Sequence, residues 1–301
     1  MMGIKYKPLA QVESHYDQLF ADGHYNEAIE VMHTFLEECE RDGNPYGAMI
    51  AHISIASCYY CSGQIESAFQ SVLYYKQLCD EYGDQYEQYN LCHIQALIYD
   101  YEQNYSKAKS ATEECICLAD ALNLPQELSK NYSLMSYLHI MTENYADALS
   151  AAQDALAIAE IHCSEDIYLH CQIYCSLATA YVYLDRLTEG TQILDLLSQN
   201  PFIQNSQLER SRYLLTKGTL MMKYGLLNDA ITYFSEAEMI ALSFNNHVLL
   251  KRIYFYNALA YEQQRQFEKA YYNLKKYVEK LEATHKEHLF SKVNELDIQH
   301  S

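Results

Sequence analysis

The sequence predicts an all-α fold, a right-handed superhelix (α-solenoid) of seven helical hairpins followed by one further helix. Three observations carry this expectation. Only 9 Gly and 4 Pro occur in 301 residues, too few for a chain rich in turns or strands. Apolar residues recur at three- and four-residue spacing, as in AHISIASCYYC (51–61) and IESAFQSVLYY (65–75), which is the period of an amphipathic helix. The third observation is a repeat. A small residue falls at Ala28, Ala68, Ala108, Ala148, Gly190, Ala230 and Ala270, in steps of 40, 40, 40, 42, 40 and 40.

Each small residue closes a polar turn. In chain order the turns are FADGHYNEA (20–28), CSGQIESA (61–68), YEQNYSKA (101–108), MTENYADA (141–148), LDRLTEG (184–190), KYGLLNDA (223–230) and EQQRQFEKA (262–270). Three residues before the small residue stands a bulky one: Tyr25, Ile65, Tyr105, Tyr145, Leu187, Leu227 and Phe267. Twelve before it the residue is small again in six units, at Ala56, Ala96, Ser136, Ala178, Gly218 and Ala258, with Tyr16 the exception. Small residues on both helices let them approach closely, and the bulky one is expected to plug the gap between them. A single hairpin cannot bury its apolar faces alone, so the units must stack. The fifth unit carries the 42-residue step and ends in SQNPFIQNS (198–206), a longer connection that can subdivide the superhelix.

The order small residue, Tyr, turn, aromatic, Ala resembles the tetratricopeptide repeat. The resemblance spans residues 9–284, with a period six residues longer than the usual 34 and no Trp anywhere. Long repeats of this kind are similar to those of bacterial signalling proteins. Among these are the sensory regions of GGDEF diguanylate cyclases and, more distantly, the Rap and PlcR-type peptide receptors. The resemblance implies a concave groove lined by the first helix of each hairpin. One lining slot then reads Asn90, Lys130, Gln172, Arg212 and Arg252, preceded by Ala10 and Ile50. A second slot holds Tyr60, Asp100, Tyr101, Tyr183, Lys223 and Glu262. The two arginines with Lys130 and Lys223 would form a basic strip edged by Tyr, suited to an acidic peptide, a C-terminal carboxylate or a phosphorylated metabolite. Solvated groove residues or structural ion pairs with Asp100 and Glu262 are the competing account.

The charge balance narrows the partners. With 21 basic against 40 acidic residues the net charge is −19, which disfavours nucleic acid and anionic membrane surfaces. No secretory signal or apolar run of membrane length is present, so a cytoplasmic location is expected, with the 10 Cys as thiols. Cys58 and Cys61 form a CxxC inside a helix, without the turn and further ligands that zinc requires. No catalytic constellation or cofactor motif is found, so the chain is expected to be non-enzymatic and to need no cofactor or metal.

Residues 285–301, HKEHLFSKVNELDIQHS, lie beyond the seventh hairpin. Leu289, Val293 and Leu296 follow coiled-coil spacing over little more than one heptad. Two expectations stay open for this stretch. It is either a capping helix, or a connector that dimerises and leads to a signalling output of diguanylate cyclase type outside this chain. Two functions stay open with it: a sensory or scaffold module controlling such an output, or a stand-alone Rap-like peptide-binding regulator that acts through protein contacts.

Overall fold

The structure, a computed structural model, describes residues 7–282, and among them every regular element is helical. Seven hairpins are formed by α1 (Lys7–Ala21) with α2 (Tyr25–Asp42), α3 (Pro45–Cys61) with α4 (Ile65–Tyr82), and α5 (Gln85–Tyr101) with α6 (Tyr105–Ala121). They continue with α7 (Pro125–Met141) and α8 (Tyr145–His162), then α9 (Ile167–Tyr183) and α10 (Leu187–Ser198). A short α11 (Pro201–Asn205) precedes α12 (Gln207–Lys223) with α13 (Leu227–Ser243), and α14 (His247–Gln263) with α15 (Phe267–Glu282).

The repeat slots explain where these helices begin and stop. Every second helix starts on the bulky residue of its unit, and every first helix ends seven residues before the small one. The turn between them always places one residue in the left-handed region: Gly23, Gly63, Gln103, Glu143, Asp185, Gly225 and Arg265. That conformation lets three residues reverse the chain, and it recurs even where the residue is not glycine. Several first helices carry side-chain caps. Asn44 accepts from the Gly47 N–H at 3.1 Å, Asn246 accepts from the Leu249 N–H at 2.9 Å, and Asp84 forms a reciprocal capping box with Glu87.

Packing follows the small residues. Ala28, Ala68, Ala108, Ala148 and Ala230 have no accessible surface, nor do Ala56, Ala96, Ser136 and Ala178 on the partner helices. The bulky slot differs from the expectation. Tyr25 and Ile65 are buried, but Tyr105, Tyr145, Leu187 and Leu227 are half-buried and Phe267 is 65 % exposed. Close approach of the two helices is therefore secured by the small residues, while the bulky residue packs on whatever lies beside the turn. For Phe267, in the last described hairpin, no described element lies there.

The 198–206 connection is itself partly helical. α10 is 12 residues long and α11 only 5, with Ile203 buried and Asn200 capping the short helix through the Phe202 N–H at 2.9 Å.

The superhelix curves until its ends meet. Asn246 Nδ2, at the start of α14, donates to Tyr25 Oη, at the start of α2, at 2.9 Å across 221 residues of sequence. One hydrophobic cluster accordingly joins Tyr25, Ile29 and Cys58 to residues of α9–α14.

Candidate binding channel

The inner face of the curved solenoid is built from the first helices. Contacts between distant first helices define it. Tyr183 Oη of α9 and Tyr256 Oη of α14 lie 2.8 Å apart, and the Arg252 guanidinium of α14 lies 4.5 Å from the centre of the Tyr137 ring of α7. Tyr60 and Tyr101, from α3 and α5, meet edge to face at 6.0 Å. The helical period brings these residues inward because the slots that line the groove recur every 40 residues on the same helix face.

Two groups of side chains sit in this face. The first centres on Arg212. Its Nη1 is 2.8 Å from Glu209 Oε1, one helical turn away, and Gln172 and Tyr168 flank the pair. Glu209 has no accessible side-chain surface, whereas Arg212 keeps 32 %, so the anion is enclosed while the cation retains partial access. Burial pushes the Glu209 carboxyl above its ordinary range, against the pull of Arg212.

The second group centres on Arg252, with Tyr137, Tyr60, Tyr105, Tyr183 and Asp100 within electrostatic reach. Among the described residues no acceptor hydrogen-bonds or ion-pairs with the Arg252 guanidinium, which rests on the Tyr137 face. Asp100 is buried, and burial raises its carboxyl despite attraction from Lys251 and Arg252. Arg252 is thus an aromatic-backed guanidinium with Asp100 nearby and no hydrogen-bonded acceptor among the described residues, and its five N–H donors match a carboxylate or phosphate bidentately.

The residues expected in the groove distribute unevenly. Gln172, Arg212, Arg252, Tyr60, Tyr101 and Tyr183 come to these two groups. Lys223 reaches only the edge of the second group, over Tyr183 at 5.6 Å, and is ion-paired to Asp185 at 3.1 Å. Asn90 is half-buried beside the Tyr75 and Tyr86 hydroxyls, and Lys130 lies toward His93 and Cys163. The continuous strip reduces to two arginines, one already paired. Leu289, Val293 and Leu296 lie outside the described residues. Cys58 is fully buried, its Sγ 3.9 Å from Tyr16 Oη.

Residues that the slots missed are Tyr137, Glu209 and Lys251. Tyr137 stands one place after the small Ser136, on the neighbouring inward stripe, and that adjacency was the available signal. Glu209 and Lys251 lie beside the slots but are turned into the wall by the helix, and nothing in their sequence surroundings marks them.

Glu102, which follows Tyr101 at the end of α5, gives a pH-dependent expectation. Burial raises its carboxyl from 4.5 to about 7, with Lys107 opposing the shift. A raised folded-state pKa contributes stability that is full below about 4.5 and is lost as pH rises through about 7. Glu102→Gln should therefore stabilise the protein by about 2 kcal/mol at pH 8 and leave it unchanged at pH 4. Urea unfolding at the two pH values checks this, and an equal effect at both would show that the carboxyl is not the cause.

No family model matches the chain, and no curated protein matches it. Solved structures do. A Rap protein complexed with competence and sporulation factor superposes with a TM-score of 0.72 at 16 % identity, over 88 % of this chain and 72 % of that one. The apo form of RapI gives 0.62 at 12 % identity, over 91 % and 97 %. A signal-transduction ATPase with a tetratricopeptide repeat sensor, from Pyrococcus horikoshii, gives 0.52 at 17 % identity, over 90 % of this chain and 41 % of that one. The chain is an all-α solenoid of tetratricopeptide type. Within that class its fold is similar to that of the Rap proteins.

Among the described residues no helix is long and apolar enough to cross a membrane.

Proposed function

We propose that the chain is a non-catalytic, cytoplasmic regulator whose channel binds a peptide through a carboxylate, either an acidic side chain or the C-terminus, seated on Arg252. The single observation that carries this reading is the Arg252 guanidinium, backed by Tyr137 and without a protein acceptor among the described residues. Two further points support it. A similar fold is known in a Rap protein complexed with a factor, and the acidic exterior makes this interior cation a local exception. Binding would be read out through protein–protein contacts, with 198–206 as the proposed hinge of the superhelix.

The alternative, control of a diguanylate cyclase-type output through a dimerising 285–301 helix, rests on the resemblance of the repeats and on residues outside those described. No feature of the channel favours it.

The test is a peptide library screened against the protein, with each hit synthesised as free acid and as C-terminal amide. Arg252→Ala should weaken the best hits at least tenfold, about 1.4 kcal/mol, and Arg252→Lys should recover only part, since an ammonium cannot form the bidentate pair. Hits that bind Arg252→Ala as tightly as wild type would overturn the assignment.

A further inference from the structure

Three successive hairpin turns of the amino-terminal half land on the last hairpin and the helix end before it. At the first turn, Gly23 sits so close to Phe244 that a Cβ there would lie 2.2 Å from the Phe244 Cβ, and Asn246 bonds Tyr25. At the second, Gly63 abuts His247, where a Cβ would lie 2.5 Å from the imidazole Nδ1. At the third, Lys251 Nζ donates to the Tyr101 carbonyl at 3.0 Å, Tyr101 Oη donates to the Lys280 carbonyl at 3.2 Å, and Gln103 Nε2 donates to Tyr277 Oη. These contacts form a seam that closes the superhelix into a ring.

We propose that this seam is a clasp with Lys251 as its pin, and that opening it is what admits a ligand to the channel. The access half of the proposal bears on the channel described above, whereas the clasp itself needs no ligand to be tested.

The composition of the seam argues that it opens before the repeats separate. Neighbouring repeats bury apolar helix faces along their length, and solenoid units depend on their neighbours alone. The seam is made by turns, side chains and one apolar patch around Tyr25, Ile29 and Cys58, and it holds groups poorly suited to burial. Lys251 is 5 % exposed, with a helix-end carbonyl as its acceptor and the Tyr101 ring 4.2 Å away. Burial lowers its ammonium pKa to about 8. Asp100 Oδ1 nearby is buried without a hydrogen-bond partner. The Lys280 ammonium is 3.3 Å from the His247 imidazole, and burial together with that cation lowers the imidazole to about 4. Contacts that desolvate charge for few bonds weaken the seam relative to the long apolar faces between neighbouring repeats. Lys251 and Arg252 are consecutive on α14, so releasing the pin also moves the channel guanidinium.

Lys251→Glu places a carboxylate against the Tyr101 carbonyl and Asp100, which should force the seam apart. Two measurements read the result without ligand. Small-angle X-ray scattering gives the largest dimension. Labelling by a bulky polyethylene-glycol maleimide, mapped by mass spectrometry, compares Cys61, half-buried beside Tyr25 and Arg212, with the exposed Cys117. The variant should keep wild-type helicity, become longer, and label Cys61 at least tenfold faster relative to Cys117. Unchanged dimensions and an unchanged labelling ratio would overturn the clasp. Should Lys251→Glu lose helicity, Gln103→Ala with Tyr277→Phe cuts the third turn outside the charged group. That pair must move the Cys61 ratio in the same direction, or the proposal fails.

Discussion

Gly218→Leu should destabilise the protein by about 3 kcal/mol, the upper end for overpacking a filled core. Gly218 occupies the small slot of the sixth unit, where α12 meets α13. A Cβ at that position would lie 2.4 Å from Phe234 Cε1 and 2.6 Å from Cδ1. Phe234 has no accessible surface and stacks on Tyr256 at 6.1 Å, so its ring has nowhere to retreat. Even Ala at 218 meets this contact, and Leu adds further atoms to it. The companion change, Phe234→Ala, should cost about 4 kcal/mol through the cavity it leaves. If the contact is the cause, Gly218→Leu in the Phe234→Ala background should be much less harmful, because the new side chain enters the vacated space. Urea unfolding followed by helical circular dichroism measures all three. Strict additivity of the two changes would show that the small slot is set by something other than this ring.

The same slot explains why so much of the fold was legible. A residue that must be small, a helix that must start three residues before a second small one, and a left-handed turn position are local demands, and each leaves a mark every 40 residues. Helix ends, hairpin pairing and stacking follow from them. What the sequence did not display is curvature. How far each unit rotates on the last depends on many small packing terms, and their sum decides whether the ends meet. Closure then determines the site. It buried Lys251 against Tyr101 and put Arg252 against Tyr137, a residue 115 positions away. The groove slots were readable, but the partners facing them across the ring were not.

Glu209→Ala should be the most costly single change in the channel wall, at about 3 kcal/mol. The reason lies in the asymmetry of the pair. Glu209 is fully buried and its Oε2 has no hydrogen-bond partner, while Oε1 holds Arg212 at 2.8 Å. Removing the anion leaves a guanidinium that cannot deprotonate, set among Tyr168, Cys175 and Cys61. Partial access of Arg212 to the channel keeps the loss below that of a fully enclosed charge. Arg212→Ala removes the cation instead and leaves a buried carboxylate, which escapes by taking up a proton because burial already raises its pKa. That variant should lose less at pH 5 than at pH 8, whereas Glu209→Ala, which removes a carboxyl whose folded-state pKa is raised, should lose no more at pH 8 than at pH 5. Replacing both with apolar residues of similar size, Glu209→Met with Arg212→Leu, should restore most of the stability, since the pair's attraction does little more than offset its desolvation. Urea midpoints at the two pH values separate these outcomes. A Glu209→Ala variant within about 0.5 kcal/mol of wild type, the range of an ordinary surface change, would mean that Arg212 is solvated from the channel and needs no partner. Arg212 would then be as available as Arg252, and a ligand could span both.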